Sequence, residues 1–150
     1  MVAVTGALTK LSLAQNELEE EGTKAICEAL EQNTTLKELD ISGDRYGQSS
    51  IGGTAGAKHV AKMLGVNGGL TALNLSRNHL KDESVSAVCE AIQSNKETKL
   101  ASLNMSEICM GPVGAKSVAA MVAVTGGLTS LNLSDNQLCG LDRYGRGTYT

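Results

Sequence analysis

Side chains able to do acid–base, nucleophilic or metal chemistry are few in this sequence, and their spacing does not suit it. There are 2 histidines, His59 and His79, and 4 cysteines, Cys27, Cys89, Cys109 and Cys139. Metal sites of the zinc type draw on closely spaced pairs such as CxxC or HExxH, and neither occurs. No GxGxxG stretch opens a helix, and no GxxxxGK[ST] phosphate loop is present. The run Glu19-Glu20-Glu21 precedes Gly22 at the head of a helical pattern. Negative charge there is favoured by the helix dipole by a few tenths to about 1 kcal/mol, which accounts for the run without a cation. These observations point to no catalytic residue, no cofactor, no metal and no enzymatic activity.

A different chemistry stands out. The tetrapeptide DRYG occurs twice, at 44–47 and at 142–145, and uses two of the three tyrosines in a chain without Phe or Trp. Tyr and Arg anchor protein interfaces more often than other residues do. Arg45, Tyr46, Arg143, Tyr144, Arg146 and Tyr149, with Arg77, are therefore the candidate recognition residues. Two roles stay open for the tyrosines: reaching a partner, or folding down over a bare backbone edge.

The elements that must position these residues follow from a repeat. LTKLSL (8–13), LKELDI (36–41), LTALNL (70–75), LASLNM (100–105) and LTSLNL (128–133) share one template, at intervals of 28, 34, 30 and 28 residues. Each alternates apolar and polar residues, which predicts a short strand. Between them GTKAICEAL (22–30), GAKHVAKML (56–64), SVSAVCEAI (84–92) and GAKSVAAMV (114–122) align without gaps. Apolar residues at offsets +3, +4, +7 and +8, such as Ala25, Ile26, Ala29 and Leu30, predict a helix with that face inward. The same offsets put His59 on the core side of its helix. Cys27 and Cys89 share one helical offset two repeats apart. Two repeats span about 10 Å, beyond disulfide reach, so both read as small buried hydrophobes.

The recurring unit L-x-x-L-x-L-x-x-N-x-L, with Leu8, Leu11, Leu13, Asn16 and Leu18 in its first copy, resembles the leucine-rich repeat. The long form with a full helix is similar to the ribonuclease-inhibitor-like subfamily. The resemblance implies an α/β fold: a right-handed solenoid, or horseshoe arc, of about five repeats, with parallel strands on the concave face and helices on the convex face. Asp44 and Ile108 stand where the repeat has Asn. An amide both donates to and accepts from turn backbone, whereas Asp only accepts and Ile does neither, so those two turns are expected to be less regular.

Three rows of side chains should then line the concave face. They are Ser12, Asp40, Asn74, Asn104 and Asn132; Lys10, Glu38, Ala72, Ser102 and Ser130; and Ala14, Ser42, Ser76, Ser106 and Ser134. Asp40, Asn74, Asn104 and Asn132 join the candidate partner-binding residues. Insertions in a solenoid map to loops. Repeat two carries six extra residues (20 from Leu36 to Gly56, against 14 from Leu8 to Gly22), and both DRYG copies fall in strand-to-helix segments of repeats that depart from the norm.

Composition agrees. With 150 residues, 41% hydrophobic and 2% aromatic, the chain suffices for one domain whose core is aliphatic. A net charge of −3 argues against nucleic acid as partner, including for the Arg-Gly stretch at 143–147. No apolar run approaches the roughly 18 residues of a membrane span, and no signal peptide is evident, so no membrane partner and a cytoplasmic location are expected. MVAVTG at 1–6 recurs at 121–126, where it closes a helix and enters a strand. Residues 1–150 therefore read as one solenoid segment cut from a longer array at both ends, with flanking repeats of the parent chain as neighbours. The resemblance implies a non-enzymatic scaffold that binds protein partners. It also admits a GTPase-regulating protein of the Ran GTPase-activating type, or a sensor segment of an immune-type receptor.

Overall fold

A computed structural model describes residues 7–44 and 50–138. Strands β1 (Lys10–Ser12), β2 (Glu38–Asp40), β3 (Ala72–Asn74), β4 (Ser102–Asn104) and β5 (Ser130–Asn132) alternate with helices α1 (Glu19–Glu31), α2 (Gly53–Leu64), α3 (Lys81–Ser94) and α4 (Pro112–Val124). The strands form one parallel sheet in the order β1-β2-β3-β4-β5. Register is uniform: Leu11, Leu39, Leu73, Leu103 and Leu131 stand opposite one another, as do Ser12, Asp40, Asn74, Asn104 and Asn132. The expected solenoid of strand–helix units is present.

Each strand lasts only three residues because the flanking leucines turn inward on either side. Leu36, Leu39 and Ile41, then Leu70, Leu73 and Leu75, then Leu100, Leu103 and Met105, are all at most 4% exposed. Full burial of such a side chain is worth roughly 1.5–3 kcal/mol, so these ranks supply the main driving force of the fold. The matching leucines of the outer strands, Leu11 and Leu131, are only partly buried.

The helices bury a face rotated from the expected one. The inward residues are Thr23, Cys27 and Leu30 in α1 and Val85, Val88, Cys89 and Ile92 in α3. Offset +5 therefore replaces offset +3, and Ala25 at +3 is exposed. The reason lies in the helix layer. Each helix rests on the sheet and also against its neighbouring helices, and the +3 positions of α2 and α4 face the helix of the preceding repeat, which α1 lacks among the described residues. Ser117 meets Ser86 there, hydroxyl to hydroxyl, at 2.7 Å. His59, expected on the core side, also lies on the seam, half-buried, with Nε2 3.4 Å from Glu20 Oε1.

Candidate functional site

The concave face is a groove of about 580 Å³ whose polar walls include Lys10, Ser12, Glu38, Asp40, Asn74, Ser102 and Asn104. Its chemistry divides along the stacking direction. The β1–β2 end is charged, with Lys10 Nζ 3.1 Å from Glu38 Oε2 and Asp40 beside them. From β3 to β5 the two outward rows hold Ala72, Asn74, Ser102, Asn104, Ser130 and Asn132, without a charge.

The four predicted row residues share one local device. Asp40, Asn74, Asn104 and Asn132 each accept, through Oδ1, the backbone N–H two residues on, at Ser42, Ser76, Ser106 and Ser134, over 2.9–3.0 Å. This closes each strand with an Asx turn. It also fixes the amide orientation, since only the oxygen can accept. The Nδ2 groups of Asn74, Asn104 and Asn132 donate to no described residue, and Asn74 and Asn104 line the groove. The result is a row of neutral donors spaced by about 4.8 Å, the distance between neighbouring strands.

The middle of the third predicted row is not part of this surface, whereas Ala14 at one end is half-buried and Ser134 at the other is exposed. Ser42, Ser76 and Ser106 are 8–9% exposed. The Asx turn folds the chain inward at that point, and each serine carbonyl accepts from its neighbour: Gln15 to Ser42, Gly43 to Ser76 and Arg77 to Ser106.

On the strand-to-helix rim, asparagines reach back to the preceding repeat. Asn78, fully buried, donates to Ile41 and Leu75 carbonyls at 3.0 Å and accepts from Ser50 N at 2.7 Å. Asn136 repeats the pattern, donating to the Met105 carbonyl and accepting from Ile108 and Met110. The two turns that lack their own Asn, in repeats two and four, are thus held by the Asn of the repeat that follows. In repeat four the expected irregularity shows in the backbone. Left-handed residues stand four apart in repeats one and three, at Gln15 and Glu19 and at Arg77 and Lys81, but two apart in repeat four, at Glu107 and Cys109. The Ile108 side chain is fully buried instead of bonding the turn.

Of the seven Arg and Tyr candidates only Arg77 is described. It has a left-handed φ of 58° and its Nε lies 3.4 Å from Glu107 Oε1. Arg45, Tyr46, Arg143, Tyr144, Arg146 and Tyr149 lie outside the described residues. The far end of the repeat-two insertion is anchored in the scaffold. Ser50 and Ile51 are buried and tied to both neighbours: the Ser50 hydroxyl to the Asn16 carbonyl, Glu19 N to the Ser50 carbonyl at 3.1 Å, and the Thr23 hydroxyl to the Ile51 carbonyl at 3.1 Å. Gly52 follows at φ 84°, where an added Cβ would stand 2.5 Å from Glu20 N, so only glycine fits.

The opposite, helix-to-strand rim holds residues that the sequence reading missed. Asn67 donates to the Leu30 and Asn33 carbonyls at 2.7 and 3.1 Å, and Asn95 to the Leu64 and Asn67 carbonyls at 2.8 Å. Their Oδ1 atoms accept the N–H groups of the next turn, as does that of Asn33. The signal was present: Asn stands three residues before the template leucine in NTTL (33–36) and NGGL (67–70), and Thr125 takes its place in TGGL (125–128).

The cysteines form no reactive centre among the described residues. Burial first, and nearby glutamates second, push the Cys27 and Cys89 thiols up to about 12. Cys109 is exposed, and its thiol is raised by partial burial against a smaller opposing pull from Lys81. No group of His, Cys, Asp and Glu among the described residues could hold a metal ion. No described helix is long and apolar enough to cross a membrane.

Comparison with known proteins agrees with this architecture. A family model described as Leucine Rich repeat matches residues 32–43 and 70–89, and a second described as Leucine Rich Repeat matches 127–145. Over 136 residues the chain is 30% identical to NACHT, LRR and PYD domains-containing protein 13 of Homo sapiens, covering 88% of this chain and 12% of that protein. Over 130 residues it is 33% identical to the ribonuclease inhibitor of Sus scrofa, covering 86% of this chain and 27% of that one. The chain thus spans only a minor part of these relatives. Among solved structures, Leiomodin-1 Actin-Binding Site 2 superposes with a TM-score of 0.69 at 24% identity, over 83% of this chain and 69% of that one. The Caenorhabditis elegans tropomodulin C-terminal domain superposes with a TM-score of 0.70 at 11% identity, over 86% and 75%. Both of these likenesses are of fold.

Proposed function

Because the chain is a leucine-rich repeat protein of the ribonuclease-inhibitor-like type, we propose that it is a non-enzymatic protein-binding scaffold whose concave face holds the partner. The observation that carries this reading is the row of Asn74, Asn104 and Asn132 amides, oriented by their Asx turns and left with unused donors, the first two of them on an open groove. A partner offering carbonyl or carboxylate oxygens at matching intervals would satisfy them without reorganisation of the scaffold, which is the advantage of a pre-formed surface. The charged Lys10–Glu38–Asp40 end adds orientation. The DRYG segments, with Arg45, Tyr46, Arg143, Tyr144, Arg146 and Tyr149, are the second candidate contact.

The similarity to long NACHT-containing proteins over 12% of their length suits a segment of a longer repeat array, as the sequence suggests. It does not favour the receptor-segment reading over the GTPase-regulating one. The test is affinity capture with the wild-type chain, with Asn74→Ala/Asn104→Ala and with Tyr46→Ala/Tyr144→Ala. The asparagine variant, with unaltered circular dichroism, should lose its specific partner. Full recovery by the asparagine variant would reject the concave face, and full recovery by the tyrosine variant would reject the loops.

A further inference from the structure

Along the helix-to-strand rim, one side-chain amide closes each junction between repeats as far as repeat three. Asn67 Nδ2 donates to the Leu30 and Asn33 carbonyls, and Asn95 Nδ2 donates to those of Leu64 and Asn67. Each donor thus bonds its own counterpart one repeat earlier and the residue three places before that counterpart. By this spacing the next donor belongs at position 125, and its acceptors are the carbonyls of Ile92 and Asn95. Thr125 stands there and has no amide. Its one hydroxyl proton goes back to its own helix, to the Met121 carbonyl at 2.9 Å.

A cavity of about 310 Å³ lies at this junction, and Ile92, Asn95 and Thr125 all line it. Ile92 and Asn95 are only 3% and 7% exposed. Among the described residues the Ile92 carbonyl accepts no hydrogen bond, and the Asn95 carbonyl accepts only Thr98 N, at 3.4 Å. Carbonyls of buried residues are rarely left so short of donors. The turn beside them also departs from its sister turns. Asn33 and Asn67 each accept the N–H groups two and three residues on. Asn95 accepts only from Glu97, two extra residues intervene, and Leu100 N goes to Thr98 Oγ1 at 3.3 Å. The gap belongs to the junction of repeats three and four. By the same spacing, an amide one repeat beyond Thr125 would reach the Val122 and Thr125 carbonyls, so a repeat stacked after β5 would not supply the missing donor.

We propose that this cavity is a binding site for a primary carboxamide on a short aliphatic group, the chemistry of an Asn or Gln side chain of a peptide and of a small free amide. The N–H groups of the ligand meet the Ile92 and Asn95 carbonyls as the chain's own amides meet their equivalents at the two preceding junctions. Lys96, on the same lining, offers the amide oxygen a cationic donor, and Leu100 and Leu128 flank the aliphatic part. An ammonium group would meet the charge of Lys96. A carboxylate would bring no proton to the two carbonyls. The neutral amide is the group that suits both sides. No residue lining this cavity lines the concave groove, so the site stands independently of the proposed partner face.

The test is a titration of the full chain followed by amide-resolved NMR. Isobutyramide should give saturable shifts at the backbone N–H groups of Thr98, Thr125, Gly126 and Gly127, whereas isobutyrate and N,N-dimethylisobutyramide should give none. Thr125→Asn places the chain's own amide on the two carbonyls, and it should weaken isobutyramide at least about tenfold, as the loss of two hydrogen bonds requires. Thr125→Val leaves the carbonyls bare and should retain binding. A capped Ala-Leu-Asn-Leu-Ala peptide, compared with its Asp counterpart, separates the two sources of the amide. Tighter binding of the Asn peptide than of isobutyramide assigns the site to a protein partner, and the reverse order assigns it to a free amide. Absence of shifts with both probes, an equal response to isobutyrate, or unchanged affinity in Thr125→Asn would overturn the proposal.

Discussion

Along the rim where helices pass into strands, Asn33, Asn67 and Asn95 form an unbroken line, each later amide bonding the backbone carbonyl of the one before. Along the opposite rim, where strands pass into helices, only Asn78 and Asn136 play that part, and Ile108 and Asp44 fill the intervening slots. In repeat three Asn78 bonds the carbonyl of its own Leu75, and towards repeat four Leu80 N and Lys81 N both donate to the Ile108 carbonyl at 3.2 Å. In repeat two the inserted Ser50-Ile51 is tied to its neighbours through backbone and hydroxyl groups. The first rim spends one residue type on one task in three successive repeats, and its connections are short. The second meets the same demand with the Asn of the following repeat in repeats two and four and with backbone donors to Ile108 in repeat three, and the six-residue insertion of repeat two falls on it. A rim locked by a repeated side chain tolerates little change, and a rim closed ad hoc can carry loops of varied length and content.

This contrast can be broken by substitution. The largest effect is expected at Asn67→Ala and Asn78→Ala, each of which strands several buried backbone groups. Leaving buried groups unsatisfied costs about 1–3 kcal/mol, so a loss of about 3 kcal/mol in urea unfolding is expected from each. Next comes coupling between sites. Asn67→Ala and Asn95→Ala share a bond and should combine with a deviation from additivity of about 0.5 kcal/mol or more, whereas Asn78→Ala and Asn136→Ala, in alternate repeats, should add within about that amount. Equal coupling on both rims would remove the distinction. A smaller gain, about 1 kcal/mol, is expected from Thr125→Asn, which extends the unbroken line by one repeat towards Ile92 and Asn95. An unchanged melting temperature would show that the line gains nothing from extension. Smallest of all, Arg77→Ala should shift stability by less than about 0.5 kcal/mol, because its pair with Glu107 is solvent-exposed.

Most of the architecture is legible in the leucines. Their period fixes the number of strands and their alternation fixes which side chains enter the core. The helix face was less legible because apolar spacing alone does not say which flank meets the sheet and which meets a sister helix. Ala87 and Ser117 are small enough for that seam, and small residues look the same as core alanines in sequence. The concave rows at Asn74 and Ala72 were readable from alternation, but the serine row was not, since only the turn geometry after Asn74 and Asn104 carries Ser76 and Ser106 inward. The line of Asn33, Asn67 and Asn95 escaped because its members stand outside the leucine template and two extra residues between Asn95 and Leu100 break the spacing.

The anchoring of Ser50, Ile51 and Gly52 has a bearing on engineering. The interval from Asp44 to Ser50 begins four residues past β2 and ends at a point tied to repeats one and three. Its ends are thus set by the scaffold and not by its own sequence. Doubling the length of a loop between fixed ends adds only about 0.6 kcal/mol of closure entropy. Foreign peptides spliced into that interval should be displayed by the solenoid at little expense to its folding, which makes it a natural grafting port.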